Sequence, residues 1–404
     1  MHAPMTQFTV AGRHLQVGGV PVSQLVARVG KTPFYAYDRR MIADRIAQLR
    51  AVLPTPIRLH YAIKANPMPA VVQYLSGLGD GLDVASLQEM NTALDTGMPG
   101  NHISFSGPGK TDVELKGAVA SGVIVNLESE GEMERIARLG EQLSIRPLVS
   151  IRINPDFELK YSGMQMGGSA KVFGVDLERL PEMANRAAQL DLDLLGFHIF
   201  NGSQNLRAEA IVDAQNRTFC LIDTLLEQVS CKLRWLNIGG GFGIPYFPGE
   251  SHLKVEPIAT NLASLLDHYP WAKKTEIVLE LGRYLVGEAG IYICRVVDKK
   301  VSRGVTYLVT DGGMHHNLAA SGNLGQVIRK NYPVVAVEKM GESPLEEVTI
   351  VGPLCTPLDV IAHQVQLPRM GTGDLIGVLQ SGAYGYSASP TAFLGHPPAG
   401  EILV

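Results

Sequence analysis

The sequence has few cysteines, few charges and no long apolar run. Four of its 404 residues are cysteine, which excludes a small domain stapled by disulfides. These four, Cys220, Cys231, Cys294 and Cys355, show no metal-ligand spacing, so we predict free thiols and no metal site. Charged residues make up only 18% of the chain, below the rough quarter typical of soluble domains. Much of the chain is therefore expected to be buried in a large core or a subunit interface.

Basic side chains are too few to hold a nucleic-acid backbone. Lys and Arg total 35 against 39 Asp and Glu, a formal net charge of −4, so we expect no nucleic acid as a partner. No apolar run reaches the ~18–20 residues of a membrane helix, and residues 1–10 lack the basic start and apolar stretch of a signal peptide. We predict a cytoplasmic protein without membrane association.

Short β-rich runs alternate with helical patterns from about residue 35 to residue 280, which is typical of parallel βαβ units. Helices such as Arg39–Leu53 and Pro69–Leu78 separate the strands, and eight such units match a closed (β/α)8 barrel. The predicted strands are Arg58–Ala62, Gly81–Val84, Ile103–Ser106, Val123–Leu127, Leu148–Ile153, Leu194–Phe200, Trp235–Ile238 and Glu276–Leu281.

After Glu280 the pattern changes to strands separated by turns. The runs Phe8–Val10 and His14–Val17 fit that part of the chain better than the barrel. We therefore predict an α/β chain in which residues 30–280 form the barrel, and residues 1–29 together with 281–404 form an all-β domain. Its predicted strands are Ile291–Lys300, Thr306–Thr310, Glu347–Val351 and Asp374–Val378.

Three features at the predicted carboxyl end of the barrel indicate a cofactor. Lys64 directly follows the first strand, and although most loop lysines are surface residues, one with apolar flanks can form a Schiff base. The turn Gly239–Gly243 follows the seventh strand. Its amides could cradle a phosphate, although its spacing does not fit G-x-G-x-x-G and a plain tight turn is the alternative.

Glu280, at the end of the eighth strand, supplies the third feature. Pairing with Arg283 would explain it structurally, but a carboxylate can also keep a ring nitrogen protonated. A Schiff-base lysine, a phosphate cradle and such a carboxylate together are what pyridoxal 5'-phosphate (PLP) requires. The sequence therefore predicts PLP as the cofactor.

Six motifs occur in the order Tyr61–Asn66, Asp83–Ser86, Gly239–Gly243, Glu280–Arg283, Gly352–Cys355 and Ser381–Gly385. In this order they resemble the motifs of fold-type III PLP-dependent decarboxylases, the diaminopimelate and ornithine decarboxylase family. The resemblance runs from about residue 30 to the end, and it implies an alanine racemase-like barrel with a C-terminal β domain. It is greatest to the subgroup associated with exosortase A systems, which is similar to the butirosin-assembly decarboxylase of carrier-protein-bound glutamate.

The resemblance implies roles for individual residues. Lys64 would be the Schiff-base lysine, Glu280 the partner of the pyridine nitrogen, and Cys355 the acid that returns a proton to Cα from the neighbouring subunit. It thus implies a homodimer with shared active sites, although inert packing is the alternative for an isolated cysteine. Phosphate contacts would be Gly240, Gly241, Ser203 and Tyr384. Other positions near the cofactor or lysine would be Asp83, Glu89, Arg152, His198, Gly282 and Arg283, where structural salt bridges would explain Asp83, Glu89 and Arg152 nearly as well.

Departures from the family pattern concern the cofactor ring and the substrate. Phe200 stands where diaminopimelate decarboxylases have a stacking histidine, which leaves His198 as a pocket-wall residue. Thr356 replaces the acid that meets a distal ammonium, and Ala319 and Asn323 replace the Arg and Tyr that meet a distal carboxylate. Each unmatched charge costs on the order of 1–3 kcal/mol, which disfavours diaminopimelate. The predicted substrate-binding residues are Arg283, Thr356, Ala319 and Asn323.

We predict a PLP-dependent α-decarboxylase, a carboxy-lyase, whose amino-acid substrate has an uncharged or carrier-linked distal end. Three alternatives are diaminopimelate decarboxylase of lysine biosynthesis, an amino-acid racemase and a catalytically silent PLP-binding regulator. A racemase would place an arginine beside the pyridine nitrogen, where this chain has Glu280. Retention of Lys64, Glu280 and Cys355 together disfavours the silent regulator.

Overall fold

The structure is a computed structural model, and it describes residues 2–3, 5–157, 164–165, 170–229, 231–326 and 328–404. These residues form two compact units. The barrel unit comprises Arg45–Gly243 and Leu253–Gly282, and the β-rich unit comprises Met1–Asp44, Ile244–His252 and Arg283–Val404.

Eight parallel strands of the barrel unit form a closed barrel, as predicted. The first strand pairs with the eighth, and the fourth with the fifth, so the sheet has no open edge between them. The short strand Val175–Asp176 adds to the fifth, and Met164–Gln165 pairs with Gly202–Ser203. The barrel strands are Ile57–Ala62, Gly81–Val84, Ile103–Phe105, Ile124–Leu127, Leu148–Asn154, Asp193–Ile199, Trp235–Gly240 and Glu276–Leu281.

Helices fill most of the connections between barrel strands. The α-helices are Arg39–Val52, which begins in the β-rich unit, then Pro69–Ser76, Leu87–Asp95, Asp112–Ala120, Glu130–Leu143, Leu180–Gln189, Ala208–Gln228 and Glu256–His268. Single 3-10 turns occur at Ile63–Ala65, Gly100–His102, Leu177–Arg179 and Pro270–Lys274.

Three successive helices begin at an S/T-x-x-E pattern. The hydroxyl groups of Ser86, Thr111 and Ser129 accept hydrogen bonds from the backbone N–H of the glutamate three residues later. This satisfies N–H groups that a helix start leaves unpaired. The pattern also fixes Glu89, whose carboxylate accepts from Ala85 N at 2.7 Å, at the carboxyl end of the second barrel strand.

The β-rich unit contains an eight-stranded sheet and a small three-stranded sheet. Strand Phe34–Tyr37 pairs with both Gly290–Ser302 and Gly400–Leu403. The other strands of the large sheet are Val305–Thr310, Val334–Ala336, Leu345–Val351, Val360–Pro368 and Leu375–Val378; the small sheet is Val10–Ala11, His14–Val17 and Val20–Pro21. Two α-helices, Val22–Val29 and Arg283–Val286, and two 3-10 turns, Tyr386–Ala388 and Phe393–Gly395, complete the unit.

One apolar cluster joins the chain's beginning to this sheet. Phe8, Leu15 and Val17 are buried together with Ile291 and Leu375. The burial of such side chains is the main force that holds the N-terminal residues on the unit. The division into domains at residues 30 and 280 stays a prediction. Within the described part of the chain, no helix is both long and apolar enough to cross a membrane.

Candidate active site

Lys64 and Glu280 meet at the carboxyl end of the barrel. The 3-10 turn Ile63–Ala65 carries Lys64 out of the first strand, and the eighth strand brings Glu280 beside it. Lys64 Nζ lies 3.4 Å from Glu280 Oε1, with the lysine side chain 44% exposed and the glutamate 5%. Gly282 allows this approach, because a Cβ there would lie 2.9 Å from Ala65 Cβ. The lysine thus has an accessible amine anchored by a buried carboxylate.

Two further side chains surround the buried carboxylate. His198 Nε2 lies 3.4 Å from Glu280 Oε2, and Asn237 Nδ2 donates to the same oxygen at 3.4 Å. Burial alone would raise the pKa of Glu280. The charge of Lys64, contact with His198 and the charge of Arg152 lower it by a larger amount, so the net pKa lies below its ordinary value. Glu280 is therefore ionised near neutral pH.

Phe200 lies beside the lysine. Its ring centroid is 5.6 Å from Lys64 Nζ, and the backbone of Gly239 packs against its edge, since a Cβ there would lie 2.9 Å from Phe200 Cδ2. His198 is nearly fully buried two residues earlier. The structure thus places a phenyl ring near the amine and an imidazole beside the carboxylate.

The glycine turn after the seventh strand approaches other backbone closely. A Cβ on Gly240 would lie 2.3 Å from the carbonyl oxygen of Glu280, and Gly241 has a φ of +71°, so side chains are disfavoured at both positions. Ser203 Oγ is buried and has no hydrogen-bond partner among the described residues. An unpaired buried hydroxyl costs about 1–3 kcal/mol. A phosphate held by Ser203 and the turn amides would satisfy it, so these residues fit PLP.

Asp83 lies inside the barrel next to groups that sequence reasoning missed. Its Oδ1 accepts a hydrogen bond from Ser104 and lies 3.7 Å from His60 Nδ1. Burial and the charge of Glu280 raise the pKa of Asp83, while His60 and Ser104 oppose this rise. No sequence motif links His60, Asp83 and Ser104, because they come from three different strands.

Arg152 belongs to a buried network of charges. Its Nη1 donates to Glu128 Oε1 at 2.8 Å, and Lys110 Nζ forms an ion pair with Glu132 Oε1 at 2.8 Å. Glu128 also accepts from the backbone N–H of Gly174 at 2.7 Å. Burial raises the pKa of Glu128, but Arg152 and Lys110 lower it overall. Arg152 thus forms a salt bridge with Glu128, as the structural alternative for this residue expects. Its contact with the cofactor stays a prediction.

In the β-rich unit, Arg283 is surrounded by tyrosines. Its Nη1 donates to Tyr246 Oη at 2.7 Å, and its guanidinium carbon lies 4.6 Å from the ring centroid of Tyr384. The rings of Tyr246 and Tyr332 lie 4.6 Å apart, and burial raises the pKa of Tyr246. Tyr384 has a φ of +51°, an uncommon conformation for a residue with a side chain. The arginine and this strained tyrosine are held as one cluster.

Cys355 lies on the loop of residues 352–359, which we call the Cys355 loop and which Asp359 organises. Asp359 is 2% exposed, and its carboxylate accepts from the backbone N–H of Met314 at 2.6 Å and of Leu354 at 2.9 Å. It therefore ties the segment that contains Met314 to the loop that presents Cys355. The Cys355 side chain itself is exposed.

Three of the four predicted substrate-binding residues, Ala319, Asn323 and Thr356, lie on the same two segments, whereas Arg283 lies in the tyrosine cluster. Asn323 Nδ2 donates to Leu358 O at 3.1 Å and to Ser321 Oγ at 2.8 Å. Thr356 Oγ1 accepts from Leu358 N at 3.3 Å, and Ala319 is buried. Asn323 and Thr356 are thus brought together with the Cys355 loop.

The sequence-predicted residues divide between the two units. The β-rich unit holds Arg283, Ala319, Asn323, Cys355, Thr356 and Tyr384. The barrel unit holds Lys64, Asp83, Glu89, Arg152, His198, Phe200, Ser203, Gly240, Gly241, Glu280 and Gly282. Among the described residues, no group of three or more His, Cys, Asp or Glu side chains is arranged to hold a metal ion.

Comparison with known proteins finds decarboxylases both among related sequences and among solved structures. The chain is 37% identical over 380 residues to the L-glutamyl-[BtrI acyl-carrier protein] decarboxylase of Niallia circulans, covering 92% of this chain and 89% of that one. It is 31% identical to the diaminopimelate decarboxylase of Aquifex aeolicus, covering 96% and 90%. The crystal structure of Helicobacter pylori diaminopimelate decarboxylase complexed with L-lysine matches with a TM-score of 0.83 and 27% identity, covering 95% and 94%.

A family model describes more than half of the chain. Residues 39–287 match the pyridoxal-binding domain of pyridoxal-dependent decarboxylases, and this range includes Lys64, Ser203, Gly240 and Glu280. The matched fold, the buried carboxylate beside an accessible lysine and the unpaired hydroxyl at the glycine turn agree with PLP as cofactor. The chain therefore belongs to the pyridoxal-dependent decarboxylase family and is a PLP-dependent carboxy-lyase.

Proposed function

We propose that the protein removes the α-carboxylate of an amino acid whose distal end is neutral because it is linked to a carrier protein. The observation that carries this proposal is that residues 352–359, all of which the structure describes, offer no available charge. The acid nearest to Thr356 in sequence is Asp359, which is buried and already accepts two backbone hydrogen bonds. A distal ammonium at this loop would lose water and gain no carboxylate.

The other predicted distal positions, Asn323 and Ala319, are also neutral. Asn323 gives its side-chain N–H groups to Leu358 O and Ser321 Oγ, and Ala319 offers only a methyl group. A thioester or amide needs no counter-charge at these positions. The 37% identity to a decarboxylase of carrier-protein-bound L-glutamate supports the same substrate class.

Residues of the barrel would hold the cofactor and the reacting amine. Lys64 would supply the amine that attaches PLP. Ser203, Gly240 and Gly241 would hold its phosphate, and Glu280 would keep its ring nitrogen protonated. Bound PLP provides the sink for the electron pair that remains on Cα when the bond to the carboxylate breaks and CO2 leaves.

Cys355 would complete the reaction. Its thiol gives a proton to Cα, where a C–H bond forms with the retained electron pair, and the thiolate recovers a proton from water. We propose a homodimer in which each subunit lends Cys355 to the site of its partner. Exposure of the Cys355 side chain supports a role outside its own core.

A negative charge introduced at position 356, where relatives that bind a distal ammonium have an acid, tests the substrate assignment. Thr356→Glu should raise kcat/KM for ornithine and lysine and lower it for glutamate joined through its side-chain carboxyl to pantetheine. Thr356→Gln introduces a side chain of the same size as Glu but without its charge, so ornithine and lysine should remain poor substrates of this variant. If both variants respond alike, size and not charge selects the substrate, and the proposal is wrong.

A further inference from the structure

A shallow groove on the β-rich unit carries positive charge. It has a volume of about 540 Å³, and we call it the Arg329 groove. Its lining residues are His2, Pro248, Arg329, Lys330, Asn331 and His363. Four of these six side chains are cationic or can become so, and none is acidic.

The groove is a built feature of the fold. Asn331 is bonded twice to the backbone of His363: its Nδ2 donates to His363 O at 2.7 Å, and its Oδ1 accepts from His363 N at 2.9 Å. His2 Nε2 lies 3.0 Å from Asn331 O. These bonds fix the segment that carries Arg329 and Lys330 against strand Val360–Pro368.

Arg329 has an unneutralised charge. Its Nη2 donates to Val360 O, and no described carboxylate forms an ion pair with it. Burial lowers its pKa, the opposite of what a carboxylate neighbour would do. Glu250, two residues after the lining residue Pro248, accepts hydrogen bonds from the backbone N–H groups of Tyr246 and Phe247. A guanidinium has five N–H donors, so most of those on Arg329 remain for an anion.

The Arg329 groove lies within reach of the Cys355 loop. Arg329 is hydrogen-bonded to Val360. Val360 is five residues after Cys355 in the sequence, so at most about 18 Å of extended chain separates Val360 from Cys355. Asn323, six residues before Arg329, is bonded to Leu358 on the same loop. This separation is comparable to the length of an extended phosphopantetheine arm.

We propose that the Arg329 groove binds the phosphodiester of the phosphopantetheine arm through which a carrier protein holds the substrate. The inference rests on the proposed function and names the part of the carrier that is recognised. Arg329 supplies a planar fork of donors that fits two phosphate oxygens, and Lys330 adds a second positive charge. The arm would then run from the groove towards Cys355, which places the thioester near the loop of neutral residues.

Two thioesters that differ only in the phosphate test this proposal. Glutamate joined through its side-chain carboxyl to 4'-phosphopantetheine should have a kcat/KM roughly tenfold above that of its pantetheine counterpart. The preference should fall with added salt because the charges are screened. Arg329→Glu/Lys330→Glu should abolish it. Arg28→Glu/Lys300→Glu, which changes the net charge equally at exposed positions of the same unit, should keep it.

A direct binding measurement separates this inference from the proposed function. Calorimetry should show that free 4'-phosphopantetheine binds the wild-type protein more tightly than pantetheine does, and that the Arg329→Glu/Lys330→Glu variant loses the difference. If neither thioester is decarboxylated but the binding difference is present, the proposed function fails and the groove assignment stands. Equal binding of both compounds to the wild-type protein overturns the groove assignment. A change of oligomeric state specific to the Arg329→Glu/Lys330→Glu variant also overturns it, because the groove would then contact a second copy of the chain.

Discussion

Lys64 Nζ and Glu280 Oε1 lie 3.4 Å apart, although 216 residues separate them in the sequence. The closed barrel produces this contact, since its first and eighth strands are hydrogen-bonded neighbours. The charge of Lys64 is one of the causes that keep the Glu280 pKa low. The carboxylate is thus ionised before any cofactor arrives, and its charge is available to a protonated ring nitrogen.

Replacing Glu280 by Gln should retain PLP but reduce kcat by at least about 10²-fold, because a neutral amide no longer stabilises a protonated ring. Absorbance titration with PLP measures binding, and CO2 release measures turnover. Glu276→Gln changes an exposed carboxylate on the same strand and should be silent. Full activity of the Glu280→Gln variant would remove the role assigned to this carboxylate.

Lys64 should be the residue that attaches PLP. The reconstituted protein should be yellow, and borohydride should fix the cofactor on the peptide that contains Lys64, as mass mapping would show. Lys110 is an internal control, because it is buried and ion-paired with Glu132 and should stay unmodified. If the adduct is found on another lysine, or if the wild-type protein forms none, the assignment of Lys64 is wrong.

Mixed dimers test the shared site. Lys64→Ala and Cys355→Ala homodimers should both be nearly inactive. After free exchange half of the dimers are mixed and each has one intact site, so activity should rise to at most about a quarter of the wild-type value. Exchange is verified with differently tagged subunits. A mixture that has exchanged but is no more active than its parents would place Cys355 outside the partner's site.

His315 should make the protein less stable as the pH falls. Burial, with the neighbouring His316 and His396, lowers the pKa of His315 from 6.5 to about 4. The unfolded chain therefore binds this proton more readily than the folded one, so stability is lost between pH 6.5 and about 4. In urea unfolding, His315→Gln should lose less stability than the wild-type protein between pH 7 and pH 4.5. The control variant His268→Gln changes an exposed histidine and should lose as much stability as the wild-type protein. If the stability of the His315→Gln variant falls with pH as steeply as that of the wild-type protein, the lowered pKa of His315 is contradicted.

The barrel could be predicted from sequence because its strands are continuous buried runs bounded by turns. The structure has Gly81–Val84 and Glu276–Leu281 with the predicted bounds. Strand Phe34–Tyr37 was missed because its partners lie more than 250 residues away, and no local pattern encodes that pairing. Strand Val360–Pro368 was missed as well; its polar positions obscure the apolar alternation.

The candidate site was predictable where one residue type in a motif carries the chemistry, as for Lys64 and Glu280. It was not predictable where chemistry depends on contacts between strands. Glu128 became visible as the partner of Arg152 only in three dimensions, and so did His60 as the neighbour of Asp83. Asp359 has no motif role of its own, yet its two backbone hydrogen bonds organise the Cys355 loop.

The most direct test of the account is the ratio of kcat/KM values for two substrate classes on the wild-type protein. Glutamate linked through its side chain to a carrier protein or pantetheine should exceed meso-diaminopimelate, ornithine and lysine by roughly 10² to 10⁴, because only the linked substrate leaves no distal charge unpaired. If diaminopimelate is processed within about tenfold of the linked glutamate, a difference of about 1.4 kcal/mol, another residue supplies the missing charge and the substrate assignment is wrong.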